Sequence, residues 1–80
     1  MAARRKAQPT SSEEFLARIG KRIKAVRKSR GLTVDALARA MDVPLRTQFS
    51  RESGSMSMPV EELEHYARVL GCEVGELLEG

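Results

Sequence analysis

Apolar residues recur along this chain at helical spacing and predict five helices and no sheet. Phe15, Leu16, Ile19, Ile23 and Val26 form one stripe with a 3.6-residue period, while Arg18, Lys21, Arg22, Lys24 and Lys28 occupy the opposite face. Ser11 or Ser12 can cap this first helix, Glu13 and Glu14 complement the positive end of its dipole, and Gly31 can end it. Leu37, Ala38 and Met41 give a second helix one apolar face after a capping Thr33. Asp42-Val43-Pro44 then interrupts the pattern, and a third helix begins at or just after Pro44 because proline disfavours helix at the residue before it. Val60, Leu63, Tyr66, Ala67 and Leu70 line one face of a fourth helix that Gly71 stops, and Val74, Leu77 and Leu78 mark a short fifth.

Two short helices separated by a tight turn between Thr33 and Gly54 are the outline of a helix-turn-helix, a device for placing a helix in the major groove of DNA. Charge agrees with that outline. Met1–Gly31 carries ten Lys or Arg against two acids, a balance of +8, whereas Leu32–Gly80 has a balance of −5. Such a field draws a polyanion to one side of a small domain. Residues 1–11 have no apolar periodicity and read as a flexible basic tail ahead of a DNA-binding domain over 12–80. Arg4, Arg5 and Lys6 form either an arm along phosphates or a solvated tail without a specific role.

Composition excludes other classes. Aromatic residues make up only 4% of the 80 residues, so aliphatic side chains must build a helical core. The single cysteine, Cys72, rules out an internal disulfide and reads as a small core residue. No apolar run is long enough to span a membrane and the N-terminus lacks a signal segment, so a reducing, cytoplasmic setting is expected. One histidine, His65, and one cysteine cannot make a normal zinc site, and His65 has no nucleophile beside it. Neither an enzyme nor a cofactor is implied.

The order and spacing of several short motifs resemble the helix-turn-helix regulators typified by phage Cro and lambda-type repressors. They are Ile19-Gly20-Lys21-Arg22-Ile23-Lys24-Ala25-Val26-Arg27, Arg30-Gly31-Leu32-Thr33, Ala36-Leu37-Ala38, Glu52-Ser53-Gly54, Pro59 with Leu63, Ala67-Arg68-Val69-Leu70-Gly71 and Glu76-Leu77-Leu78. The resemblance covers Phe15 to Leu78 and implies a compact all-α, five-helix, lambda-repressor-like domain. It also implies that Arg27 pairs with Glu52 as scaffold, which suits the position of Arg27 at the border of its helix's apolar stripe, where a partly buried Arg wants a carboxylate.

Two departures from the family pattern bear on mechanism. Val34 stands where relatives often carry a glutamine that touches DNA. An ungapped match also puts Gln48 and Arg51 at core positions and Phe49 outside. Burying those two polar residues unpaired while exposing a phenylalanine is costly. A turn one residue longer would rotate the third helix by about 100° and bring Phe49 inside, and that shifted register is the expectation here.

Arg46 faces outward in both registers and is the leading base reader, with a side chain suited to bidentate contact with guanine. Thr47, Gln48 and Arg51 are the other expected base contacts. Thr33, Ser50, Ser53, Ser55 and Ser57, with the basic tail, are the expected phosphate contacts. Relatives commonly bind two-fold operators as homodimers, and by resemblance Leu77 and Leu78 form the dimer patch; otherwise they close the monomer core. With the chain ending at Gly80, regulation is expected to come from concentration, operator arrangement or a partner protein. The sequence therefore reads as a DNA-binding transcriptional regulator. The rival reading is a protein-interaction adaptor or antitoxin-like module on the same fold, for which Val34, the altered third helix and the uncharged Ser55–Met58 loop with Met56 and Met58 speak.

Overall fold

The computed structural model describes residues 2–78, with side chains described from residue 13 onward. Five helices follow one another: α1 (Ala2–Ser29), α2 (Val34–Met41), α3 (Leu45–Ser53), α4 (Val60–Leu70) and α5 (Val74–Leu78), and the described residues contain no strand. The first helix begins well before Ser12, where sequence places its start, so Ser11 and Ser12 lie within it. Ala2, Ala3, Arg4, Arg5, Lys6 and Ala7 are good helix formers, and local propensity can extend a helix that has no apolar stripe to bury.

The remaining boundaries follow from identifiable caps. Thr33 sits in extended conformation before α2, and its hydroxyl accepts from the Ala36 amide at 3.0 Å. Asp42 ends α2 at a φ of 60°, with its amide donating to the carbonyls of Ala38 and Arg39. Asp tolerates this left-handed conformation better than most side chains. Pro44 then precedes the first turn of α3, so the turn consists of Asp42, Val43 and Pro44 as the sequence predicts.

Ile19, Ile23 and Val26 of α1 meet Leu37 and Met41 of α2, Leu63, Tyr66, Ala67 and Leu70 of α4, and Leu77 of α5 in one core. Leu77 is fully buried there, so it closes the monomer core and is unavailable as a dimer contact; Leu78 remains 39% exposed. Val60, expected on the packing face of α4, is exposed because it occupies the first position of that helix, beyond the edge of the core. Phe15 is exposed and Leu16 half-buried, so the apolar stripe of α1 enters the core only at Ile19. Cys72 is half-buried against the same core, and burial pushes its thiol pKa up.

Arg22 of α1 and Arg30, just beyond its end, also close the far end of the domain. Arg30 donates from Nε to the Leu70 carbonyl at 2.7 Å and from Nη2 to the Gly71 carbonyl at 3.2 Å, while Arg22 Nε reaches the Glu76 carbonyl at 2.9 Å. Cations at helix C-termini satisfy exposed carbonyls and complement the dipole.

Candidate nucleic-acid interface

The third helix is held from behind, and what holds it determines which residues it shows. It packs against α1 and α2, and its C-terminal turn rests directly on the backbone of α1. A Cβ on Gly20 would collide with the Glu52 carbonyl and lie 2.6 Å from the Arg51 carbonyl oxygen. A Cβ on Gly54, which ends α3 at a φ of 80°, would lie 2.7 Å from the Ala17 Cα. Glycine is required at both points, at the first for space and at the second for conformation as well.

Polar side chains complete the anchoring. Arg27 Nε donates to Glu52 Oε2 at 2.7 Å and Nη2 to Oε1 at 3.1 Å, a two-pronged pair with both side chains about nine-tenths buried. Arg27 Nη1 also donates to the Leu32 carbonyl at 2.8 Å. Gln48 Nε2 donates to the same Glu52 Oε2 at 2.9 Å, and Tyr66 Oη donates to Gln48 Oε1 at 2.6 Å. Arg51 Nη1 lies 3.0 Å from Glu62 Oε1 and 3.3 Å from Tyr66 Oη. A continuous chain of hydrogen bonds thus runs from α1 through α3 to α4. Its Arg51 Nε is buried without a partner.

This network corrects the shifted register. Gln48 is fully buried, the Arg51 side chain is 11% exposed and committed to Glu62, and Phe49 is 54% exposed. Burial of Gln48 and Arg51 is costly only if they are unpaired, and Tyr66, Glu52 and Glu62 pair them. Gln48 and Arg51 are therefore not base contacts in this arrangement but parts of the anchor. The sign was present in the sequence: Tyr66 is the only tyrosine, it falls on the apolar face of α4, and a buried tyrosine hydroxyl wants a partner.

Arg46, Phe49, Ser50 and Ser53 are spaced i, i+3, i+4 and i+7 and form a stripe of α3 outside the anchoring contacts, which meets the Arg27–Glu52 pair only along the edge formed by Phe49 and Ser53. Arg46 is exposed as expected, Thr47 is half-buried at the edge, and Leu45 at the start of the helix is 41% exposed. The expected phosphate contacts divide. Ser53 and Ser55 both turn their hydroxyls back to the Ser50 carbonyl, at 3.0 and 3.3 Å, and so cap α3. Ser57 is exposed, Ser50 half-buried, and exposed Thr33 caps α2. The side chains of Arg4, Arg5 and Lys6 lie outside the described residues. Lys24 and Val34, not singled out as readers by sequence, share a cleft with Phe49 between α1, α2 and α3.

Residues 22–79 match the family model of the Cro/C1-type HTH DNA-binding domain. The chain belongs to this family. Its fold is that of the family's regulators: over 80% of this chain and 83% of the other it superposes on the clp gene regulator ClgR from C. glutamicum, with a TM-score of 0.76 and 25% identity. An HTH_3 family transcriptional regulator from Vibrio cholerae aligns over 82% of this chain with a TM-score of 0.75 and 29% identity, and this chain spans 37% of that longer protein. The restriction-modification controller protein C.AhdI from Aeromonas hydrophila shares the fold at a TM-score of 0.73 over 78% of this chain and 94% of its own, with 24% identity. Comparison with curated proteins gives no match. Among the described residues no helix is long and apolar enough to cross a membrane.

Proposed function

We propose that this Cro/C1-type domain is a sequence-specific transcriptional regulator that places α3 in the major groove and binds a two-fold operator as a homodimer. The observation that carries the reading is the division of α3 into an anchored face and an outward stripe led by Arg46. A reading helix must present donors at fixed positions, and a helix whose inner face is hydrogen-bonded to two neighbours does so. Arg46 suits bidentate contact with a guanine, and Thr47 contributes at the edge of the same surface. Thr33, Ser50 and Ser57 with exposed Lys24 contact phosphates, and Arg4, Arg5 and Lys6 add sequence-independent affinity. Exposed Leu78 contributes to the dimer contact in place of Leu77.

Selection from random duplexes at two salt concentrations, with wild type and Arg46→Ala, tests this reading. It requires enrichment of a two-fold motif that Arg46→Ala relaxes. Exposed Phe49 and Leu45 are the observation behind a second reading, in which α3 docks a protein partner. Weak, steeply salt-dependent binding without an enriched motif is the result that supports that alternative.

A further inference from the structure

The outward stripe of α3 has an aromatic ring at its centre, and no packing within the domain calls for one there. Phe49 is 54% exposed, and Leu45 one turn earlier is 41% exposed. Phe49 also forms one wall of a cleft of about 280 Å³, with Val34 at the first position of α2, Lys24 of α1, Ser53, and the Arg27–Glu52 pair. The cleft therefore combines two apolar walls, a cationic rim and a pair whose charges neutralise each other. Its volume falls just below the ~300–1,000 Å³ of small-molecule sites, which suits the edge of a group rather than a whole ligand.

The major groove offers one apolar group to such a surface, the C5-methyl of a pyrimidine. We propose that Phe49 and Val34 clasp that methyl, on the base beside the one read by Arg46, while Lys24 holds a neighbouring phosphate. The apolar area is small for a protein interface, which needs about 800 Å² per partner; it is bordered by Lys24, and exposed Arg46 lies one turn before Phe49 on α3, and both charges complement DNA. The assignment rests on the operator-reading proposal above. It also gives Val34 a role: a residue that cannot donate a hydrogen bond at the start of α2 is what an apolar notch requires. Thymine and 5-methylcytosine carry the same methyl, so both satisfy the chemistry.

The test uses the full chain and the duplex obtained by selection, remade with deoxyuridine replacing thymidine one position at a time and with 5-methylcytosine replacing cytosine. Affinities are measured for wild type and Phe49→Ala, with thermal unfolding to verify that the variant is folded. One buried methyl corresponds to about a four-fold change in affinity. A loss of that size on deoxyuridine substitution at one position beside the Arg46-dependent guanine, absent in Phe49→Ala, identifies thymine. A gain of that size on cytosine methylation, also dependent on Phe49, identifies 5-methylcytosine. An enriched motif whose affinity is indifferent to both changes overturns the methyl clasp and leaves the operator reading standing. The absence of any enriched motif overturns both.

Discussion

Tyr66 of α4 donates its hydroxyl hydrogen to Gln48 Oε1 of α3 across 2.6 Å, inside a core where both side chains are fully buried. α3 lies against α1 and α2 more closely than against α4, so this bond, the neighbouring Arg51–Glu62 pair and the Arg51 bond to Tyr66 Oη tie α3 to α4. Removing the hydroxyl strands an amide oxygen in the core. Tyr66→Phe is expected to cost about 1–2 kcal/mol, read as a lower urea midpoint with an unchanged slope. Adding Gln48→Leu to that variant removes the stranded acceptor but leaves Glu52 with one donor fewer, so the double substitution recovers only part of the loss.

The same tyrosine makes stability sensitive to alkali. Burial pushes the Tyr66 hydroxyl above its ordinary pKa of about 10, against the opposing pull of the Arg51 guanidinium. The folded protein therefore binds the phenolic proton more tightly than the unfolded chain does. Its contribution is complete below the unfolded value and is lost as pH rises from there through the folded value. Unfolding free energy measured from pH 8 upward is expected to fall above about pH 10. This fall should be shallower in Tyr66→Phe. Because Tyr66 is the only tyrosine, phenolate absorbance follows the group directly and should rise together with unfolding.

Gly20 sets the approach of α3 to α1 and leaves no room for a methyl against two backbone carbonyls. Backbone cannot rotate away as a side chain does. Gly20→Ala is expected to destabilise the domain by about 1–3 kcal/mol, although alanine is the better helix former. Since the strain falls at the C-terminal turn of α3, affinity for DNA should drop even under conditions where circular dichroism shows the variant to be folded. Unchanged affinity in a folded Gly20→Ala protein would mean that this contact does not set the pose of the helix.

Most of the fold was legible because its signals are local. Thr33 as a cap, Pro44 and Pro59 at helix starts, Gly54 and Gly71 at helix ends, and the stripe from Ile19 to Val26 need no knowledge of distant residues. The Arg27–Glu52 pair, expected by resemblance, is present at 2.7 Å. The register of α3 is not legible in the sequence because what fixes it is non-local. Gln48 and Arg51 look misplaced in the core until Tyr66 and Glu62, on another helix, are brought to them. Leu77 was ambiguous for a similar reason: a leucine near a terminus serves a core or an interface according to where the last turn lands. The start of α1 is not legible in apolar periodicity because the sequence ahead of Phe15 carries no apolar stripe.

None of the α3 residues that anchor it, Gln48, Arg51 and Glu52, belongs to the stripe formed by Arg46, Phe49, Ser50 and Ser53. The contacts that hold α3 in the fold and its outward side chains thereby lie on opposite sides of one nine-residue helix. Outward side chains of such a helix can be exchanged at little thermodynamic cost, so duplicated copies can diverge on that surface long before they diverge in shape. The separation also makes the domain a practical frame for grafting, since the inner residues can be kept as an invariant cassette while the outer ones are varied.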